Sequence, residues 1–365
     1  MKFTVSKETL ESALFAAHRA VKPNSPLGVL RGVHMVIRGD RLEVVGTDAE
    51  LTIRYTAGVE VASEGEVTVN AGIYDLVKRL PDGPVEVELA EGGLLLRYGG
   101  SEARVSVYEG EFPLLPAVSG GVGIEVSAGE FLNAVNRVYF ACYKGMCSPI
   151  LTGVLFRVTP FNLELVASDG VRINWACLPV SGGGGAEAVV PQAALQEALK
   201  VLGGDRVAVN VQDNLVVFRS GPVEVFSRTI AGRYPDYMSC VPEGFSARVR
   251  VSVRDLLETL GRAAVIVDSR NVSKVRVDVS GGKMTVSASG VGGSVTETLE
   301  VCHEGEPVTM FFQTRYLAEA VRVVGEEEAE VGFVTDAPAV KVASGDGTYF
   351  SVLRPLVREA AEAAA

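Results

Sequence analysis

Residues 2–21 read KFTVSKETLESALFAAHRAV. Apolar residues alternate with polar ones up to Val5, which predicts a strand, and then recur at helical spacing, which predicts an amphipathic helix over 9–21. Ser6 lies at the junction, where a serine hydroxyl accepts a backbone N–H at the start of a helix. This strand, serine and helix form one unit, and its recurrence decides the fold.

That unit occurs twice more along the chain. Ser127 and Ser252 stand in the same setting, at successive intervals of 121 and 125 residues from Ser6. Each third also holds a second predicted helix and ends near a proline, which indicates that one domain has been repeated with a period of about 122 residues. The further predicted helices cover 71–80, 130–141, 192–202, 254–265 and 313–324, and the prolines are Pro113, Pro235 and Pro355.

Stretches between the helices alternate with a period of two, as residues 84–89 and 206–211 do. This alternation is typical of antiparallel strands with one face toward water. Each third is predicted to hold two helices and about eight strands. We therefore expect an α+β fold of three similar domains: an N-terminal domain over 1–120, a central domain over 121–244 and a C-terminal domain over 245–365.

The chain of 365 residues carries 34 Lys and Arg against 45 Asp and Glu, a formal net charge of −11. That balance argues against a uniformly nucleic-acid-binding surface, because affinity for phosphate comes from basic side chains. The predicted helices and their flanking residues nevertheless hold 14 of the basic and only 9 of the acidic residues. One face of an acidic molecule can therefore be basic. The segments counted are 6–22, 71–80, 130–147, 192–202, 254–274 and 313–324.

The sequence disfavours several classes of protein. The first residues form no signal peptide and no apolar run reaches the roughly 20 residues of a membrane helix, so we expect a soluble, cytoplasmic protein. Five cysteines at irregular spacing predict reduced, mostly buried thiols rather than a disulfide framework or a zinc ribbon. The three histidines stand far from one another, so we predict neither a metal nor a cofactor.

Two aspartates recur in similar settings, Asp48 in the sequence VGTD and Asp169 in VASD, 121 residues apart. A pair of carboxylates could serve acid–base catalysis in a hydrolase. Each could instead cap a turn at the end of a repeated strand. The third copy, at 288–290, has no aspartate, which favours the turn role, and we predict no catalytic residue.

Five stretches carry a family likeness: MKFTV at 1–5, GTDAE at 46–50, ASDGVRI at 167–173, GRYPDY at 232–237 and RPL at 354–356. On these the chain resembles the bacterial sliding clamps, the β subunit family of DNA polymerase III, along essentially its whole length. The resemblance implies three DNA-clamp domains per chain and two chains closed head to tail into a ring, with helices inside and sheets outside. Such a ring encircles double-stranded DNA without sequence specificity and is not an enzyme.

The resemblance also implies partners and a pocket for them. A clamp tethers the DNA polymerase III catalytic subunit, other polymerases and repair proteins through short linear peptides, and a separate clamp loader places it on DNA. Apolar side chains of these client peptides would fill a cleft. The residues at matching positions are Leu151, Ser168, Gly170, Arg172, Ile173, Pro235, Cys240, Val352, Arg354, Pro355 and Leu356.

For DNA contact, the resemblance points to the first helix with its loop and to the loop over 144–148 in the central domain, and the charge pattern adds basic residues on other helices. The ring interface would place an edge strand with Val105 and Val107 against Val265 and Ile266 of a second chain. Such pairing would cover an apolar edge that is otherwise an aggregation hazard. The expected DNA-facing residues are His18, Arg19, Lys22, Asn24, Lys78, Arg137, Lys144, Lys200, Arg262 and Arg322.

Around the pocket, two positions depart from the family pattern. Arg354 stands where many members have methionine, and Ser239 stands where an arginine is common. These departures motivate an alternative, a clamp paralogue with a specialised client set. Residues 358–362 run past the family's usual end and are expected to form a frayed helix.

Overall fold

The computed structural model describes residues 1–118, 120–266, 274–290 and 292–356. Arg270, which entered the charge count of the helices, and the C-terminal segment 358–362 lie outside these ranges. No helix within them is long and apolar enough to cross a membrane.

The first third contains two α-helices among ten strands. They are β1 (Lys2–Ser6), α1 (Lys7–His18), β2 (Gly32–Arg38), β3 (Arg41–Thr47), β4 (Leu51–Gly58), β5 (Glu60–Ser63), β6 (Gly65–Asn70), α2 (Ile73–Val77), β7 (Pro84–Ala90), β8 (Gly93–Tyr98), β9 (Ser101–Val105) and β10 (Val107–Tyr108).

The central third repeats this order with eight strands. Its elements are β11 (Val122–Ser127), α3 (Ala128–Val138), β12 (Gly153–Val158), β13 (Asn162–Ser168), β14 (Arg172–Pro179), β15 (Ala186–Pro191), α4 (Gln192–Val201), β16 (Arg206–Val211), β17 (Leu215–Ser220) and β18 (Val223–Arg228).

The last third has nine strands in its described residues. Its elements are β19 (Ala247–Ser252), α5 (Val253–Ile266), β20 (Lys274–Ser280), β21 (Lys283–Gly290), β22 (Gly293–Glu300), β23 (Cys302–Gly305), β24 (Val308–Gln313), α6 (Thr314–Arg322), β25 (Glu328–Val334), β26 (Ala339–Ala343) and β27 (Tyr349–Leu353). The predicted pair of helices in each third is confirmed, and the predicted eight strands hold only for the central third.

The chain divides into two compact units that cut across the thirds. Strand pairing explains the division, because β4 of the first third pairs with β18 of the second, and β14 of the second pairs with β27 of the last. Unit 1 comprises Met1–Leu132, Val158–Phe161 and Val180–Ile230, and unit 2 comprises Asn133–Arg157, Asn162–Pro179 and Ala231–Ala365.

The sheets within each unit are antiparallel, and several neighbouring strands are distant in sequence. Unit 1 holds a five-stranded sheet, β5-β1-β7-β8-β9, and a nine-stranded sheet, β10-β6-β2-β3-β4-β18-β17-β16-β11. In unit 2 the strands of the large sheet run β12-β13-β14-β27-β26-β25-β19-β23, beside a four-stranded sheet, β22-β21-β20-β24. Apolar residues of the sheets and helices form one cluster in the first third and another in the last.

The predicted serine caps are confirmed at two of the three sites. Ser6 Oγ accepts the backbone N–H of Thr9 at 3.1 Å, and Ser252 Oγ accepts that of Asp255 at 3.2 Å. The third cap, at Ser127, stays a prediction. Each hydroxyl satisfies a donor that the helix itself leaves unpaired.

The predicted helices begin or end a few residues away from their observed bounds. After α1 the N–H groups of residues 19–21 bond to carbonyls three residues back, so the helix tightens into turns before Pro23. The helix predicted over 71–80 is observed as the shorter α2. It does not extend to residue 80, because Leu80 precedes Pro81 and the residue before a proline avoids the helical region.

Gly46 allows α1 to lie against the sheet of unit 1. A Cβ at this position would lie 1.8 Å from the carbonyl oxygen of Ala17, far inside contact distance. The glycine therefore sets how closely the helix approaches β3.

The cysteines correct one expectation. All five are free thiols, as predicted, but only Cys142 is buried and Cys177 half-buried, whereas Cys147, Cys240 and Cys302 are exposed. Burial raises the pKa of Cys142 to about 12 and that of Cys177 to about 11.

Candidate functional site

Unit 2 contains a cavity of about 1010 Å³. All eleven residues predicted for the client pocket line it, brought together from β14, β27 and the segments around Leu151, Pro235 and Leu356. Sequence reasoning missed about half of the lining. The missed residues are Val171, Tyr234, Asp236, Tyr237, Thr309, Met310, Phe311, Thr335, Ala337, Pro338, Ala339 and Leu353.

Strand pairing places the apolar floor. Ile173 of β14 lies opposite Val352 of β27, so both side chains stand on the same face of the sheet. Leu356 joins them because its N–H donates to the Phe311 carbonyl oxygen at 2.8 Å. The floor therefore joins residues that are about 180 positions apart in sequence.

A tight turn over 168–172 forms one wall. Asp169 Oδ1 accepts the N–H groups of Val171 and Arg172, both at 3.0 Å, and Ser168 Oγ donates to the Arg172 carbonyl oxygen at 2.8 Å. Gly170 has a φ of +86°, a conformation that glycine adopts without strain. Asp169 is thus a turn cap, as the alternative to catalysis predicted.

Asp48 has the same role in unit 1. Its Oδ1 accepts the N–H groups of Glu50 and Leu51 at 2.9 and 2.7 Å. The recurrence of the two aspartates reflects a repeated turn. Within the described residues, no group of three or more His, Cys, Asp and Glu side chains could hold a metal ion.

Arg172 is only 4% exposed although it is charged. Its Nε donates to Asp169 Oδ2 at 3.0 Å, Nη1 donates to Glu319 on α6, and Nη2 donates to the Phe140 carbonyl oxygen at 3.1 Å. The guanidinium also lies over the Tyr316 ring, 4.1 Å from its centre. Because a buried cation without partners is strongly destabilising, these contacts explain how Arg172 can line an apolar cavity.

Two tyrosines of the GRYPDY stretch complete the wall. Tyr234 is buried, and the loss of solvent raises the pKa of its phenol. Tyr237 donates its hydroxyl to Glu164 Oε2 at 3.1 Å and accepts from Arg157 at 3.2 Å. The GRYPDY stretch itself pointed to these two tyrosines. No recognisable stretch pointed to Met310 and Phe311, because they belong to a strand of the last third.

Besides the buried Arg172, two exposed charged residues line the cavity, Asp236 and Arg354. Arg354 is held by its backbone N–H, which donates to the Val171 carbonyl oxygen at 3.1 Å. Ser239 does not line the cavity, and its hydroxyl donates to the Asp236 carbonyl oxygen at 2.8 Å. Of these two departures, only Arg354 therefore lines the cavity.

The expected DNA-facing residues of unit 1 differ in how their charge is used. Arg19 stacks over Phe15 at 4.6 Å and lies 3.8 Å from Glu197, whose carboxylate also pairs with Lys200 at 2.7 Å. His18 is half-buried beside a tyrosine, and burial lowers its pKa from 6.5. It is therefore neutral near pH 7. The exposed members of the set are Lys22, Asn24, Lys78 and Lys200.

In unit 2, Arg137 has internal partners. It donates to the Thr348 hydroxyl at 2.9 Å and to the Val324 carbonyl oxygen at 2.8 Å, and it lies over the Tyr349 ring. These contacts join α3 to the last third, and the expected DNA-facing role of Arg137 stays a prediction. Arg262 is paired with Glu297, while Lys144 and Arg322 are exposed.

The expected interface strand is in fact two strands. Val105 ends β9 at the edge of the five-stranded sheet, opposite Leu94, whereas Val107 begins β10 at the edge of the nine-stranded sheet, opposite Val69. This corrects the expectation of one edge strand. On α5, Val265 is 82% exposed, a high value for a valine at a helix end.

Three repeats of a domain with two helices on extended sheets agree with the architecture of a clamp protein that the sequence predicts. Family models for the N-terminal, central and C-terminal domains of the DNA polymerase III β subunit match residues 1–116, 125–236 and 238–353. The chain therefore belongs to the DNA polymerase III β subunit family, the β sliding clamps, which are non-catalytic processivity factors. This membership decides against the hydrolase hypothesis.

Curated relatives agree along nearly the full length. The chain is 26% identical to the β sliding clamp of Bacillus subtilis over 351 residues, which cover 91% of this chain and 93% of the relative. It is 29% identical to the β sliding clamp of Synechococcus elongatus over 350 residues, covering 91% and 92%.

Solved structures share the fold. The DNA polymerase sliding clamp from Bacillus subtilis superposes with a TM-score of 0.94 at 24% identity, and the DNA polymerase III β subunit from Thermotoga maritima with 0.91 at 25%. Each comparison covers 98% of this chain and 100% of the other. The expected three-domain α+β clamp fold is confirmed.

Proposed function

We propose that two copies of this chain close into a ring around double-stranded DNA in the cytoplasm, and that client proteins dock a short peptide in the cavity of unit 2. A separate clamp loader would open and close the ring. The clients would be the polymerase III catalytic subunit, other polymerases and repair proteins. The observation that carries the proposal is the cavity, whose apolar floor of Ile173, Val352 and Leu356 suits leucine and phenylalanine side chains.

The charge distribution supports a sliding contact with DNA. Basic residues collect near the helices while the whole chain is acidic, so one surface attracts phosphates without making the protein a general DNA binder. Several of these cations already have a carboxylate partner, as Arg19, Lys200 and Arg262 do. Shared charges bind phosphate weakly, which suits a ring that must move along DNA.

The ring is tested by mass and by topology. A homodimer should have a solution mass near twice 38.5 kDa. Protein assembled by a loader on nicked circular DNA should be retained, and it should be lost when the circle is cut. A monomer held equally well on linear DNA would contradict the ring.

The interface is tested with Val265→Asp, which should shift the dimer toward monomer because it places a charge on an exposed apolar side chain at the proposed contact. Leu114→Asp is the matched control, since Leu114 is 96% exposed and lies outside that contact. Equal dissociation of both variants would remove the support for this interface.

The cavity is tested by protection of a thiol. Cys240 lines the cavity, whereas Cys147 and Cys302 are exposed elsewhere. A peptide of the sequence Gln-Leu-Asn-Leu-Phe should slow alkylation of Cys240 by iodoacetamide and leave the other two rates unchanged. Unaltered labelling of Cys240 at saturating peptide would place the peptide elsewhere.

The alternative, a clamp paralogue with a specialised client set, is favoured by the position of Arg354 at the cavity. If this alternative holds, Arg354→Met should raise the affinity for the same generic peptide about tenfold. The reason is that an apolar side chain then replaces a cation at the edge of an apolar site. An unchanged affinity would favour the general clamp.

A further inference from the structure

Glu319 lies on α6 and does not line the cavity itself. It contacts Arg172, which does line the cavity. One oxygen accepts from Arg172 and the other accepts from Arg315 Nε at 2.7 Å. Although burial opposes its charge, hydrogen bonds from these two arginines hold the pKa of Glu319 below its usual value. Glu319 is therefore a charged link between the cavity wall and the helix surface.

We propose that Glu319 is a positioning residue for peptide recognition, which holds the Arg172 guanidinium back from the cavity so that this wall receives apolar side chains. The inference rests on the proposed peptide-binding role of the cavity. It assigns to Glu319 an effect on which peptides bind, exerted only through Arg172.

The charges of the group explain the effect. Asp169, Arg172, Glu319 and Arg315 alternate in sign along one chain of contacts, so their charges sum to zero. Removing the Glu319 charge leaves Arg172 with one carboxylate partner, Asp169. In a site from which a bound peptide excludes water, the released positive charge attracts an acidic group strongly.

The side chain of Arg172 lies at the border of the cavity, which Arg172 lines. It is anchored at the turn over 168–172, which forms a cavity wall, and its far end is pulled toward α6 by Glu319 and toward α3's end by the Phe140 carbonyl. Glu319 supplies the only carboxylate among these partners outside the turn. Its loss therefore weakens the pull away from the cavity.

Two isosteric peptides, Gln-Leu-Asn-Leu-Phe and Gln-Leu-Asp-Leu-Phe, measure the preference directly in the full-length protein by fluorescence anisotropy. The Glu319→Gln variant keeps a hydrogen-bond acceptor but removes the charge. We expect it to shift the affinity ratio about fivefold in favour of the aspartate peptide. A merely structural role would weaken both peptides alike and leave the ratio unchanged.

A double-mutant comparison shows whether Glu319 acts through Arg172. In an Arg172→Gln background, Glu319→Gln should change the ratio by less than about twofold, because the residue it positions is gone. The same shift in both backgrounds would mean that the Glu319 charge acts on the peptide directly, which would overturn the proposal.

Two control variants separate this effect from a general change in the helices. Arg315→Gln removes the outer partner of Glu319, and Glu258→Gln breaks a comparable Arg254–Glu258 pair on α5, which is 3.1 Å long. Both should leave the ratio unchanged. A shift in either as large as that of Glu319→Gln would overturn the proposal.

The result also separates this inference from the proposed function. If the wild-type protein binds neither peptide, the cavity is not a peptide site. If it binds them and the ratio of a folded Glu319→Gln variant stays unchanged, only the role of Glu319 is lost. Should that variant fail to fold, Glu319→Met, which is close in size and also carries no charge, must give the shift.

Discussion

At the scale of single residues, one carboxylate of the site has two structural roles. Asp169 and Arg172 stand three residues apart, and one carboxylate caps the turn while also pairing with the guanidinium. The same aspartate was a candidate catalytic group when only the sequence was considered. Its two oxygens instead accept hydrogen bonds from the turn and from Arg172.

The exposure of the five thiols predicts which cysteines react with an alkylating reagent. Cys147, Cys240 and Cys302 are exposed, whereas Cys142 and Cys177 are covered and have pKa values raised by burial to about 12 and about 11. Because the thiolate is the reactive form, the native protein should alkylate at three sites and the unfolded protein at five. Peptide mapping by mass spectrometry checks this, and rapid native labelling of Cys142 would contradict the burial.

Two histidines predict how stability depends on pH. Burial lowers the pKa of both His18 and His34 from 6.5, so the unfolded chain takes up the proton more readily than the folded one. Their contribution is complete above about pH 6.5 and is lost as the pH falls through the folded-state values.

The melting temperature should therefore fall between pH 7.5 and 5.5, and by less in a His34→Gln variant. His303→Gln serves as the control for replacing a histidine elsewhere. An equal fall in wild type and His34→Gln would show that His34 does not contribute.

At the scale of elements, the caps and close approaches decide where helices begin and how near they lie to the sheets. Ser6→Ala should cost about 1 kcal/mol of unfolding free energy, because Thr9 loses its hydrogen-bond acceptor. Ser12→Ala on the exposed side of the same helix should be neutral or slightly stabilising. Urea denaturation of both variants measures the difference, and equal effects would contradict the cap.

Gly46 gives a stronger prediction for α1 and β3. Gly46→Ala should destabilise by about 3 kcal/mol, because the added carbon overlaps the Ala17 carbonyl oxygen and the helix must move away. Gly185→Ala is the control, since nothing lies within 4 Å of a Cβ there. Denaturant titration tests both, and a Gly46→Ala protein as stable as the control would show that the helix can shift without cost.

At the scale of the whole molecule, the repeats do not fold as separate sheets. The strand β4 of the first third pairs with β18, and Arg54 donates to Glu224 across that seam. A fragment of residues 1–120 would expose the β4 edge, and an unpaired edge strand recruits other chains.

Such a fragment should associate with increasing concentration in light-scattering measurements. In the full chain the Thr56 N–H donates to the Pro222 carbonyl oxygen at 2.9 Å, so in the fragment it faces the missing partner strand. Thr56→Pro should reduce the association, because proline has no N–H to offer at this edge. A fragment that stays monomeric at every concentration would contradict the importance of the seam.

The sequence alone determined the repeat, the six helices and the fold class, because these follow from local periodicity, caps and turns. The eleven predicted residues of the cavity came instead from the resemblance of recognisable stretches to a known family. Only the tertiary structure decided what Arg137 and Arg172 bind, which edge each of Val105 and Val107 occupies, and that Met310 and Phe311 reach the cavity. Those facts depend on strands distant in sequence pairing in one sheet. Local pattern carries the period of a strand but not the identity of its neighbour.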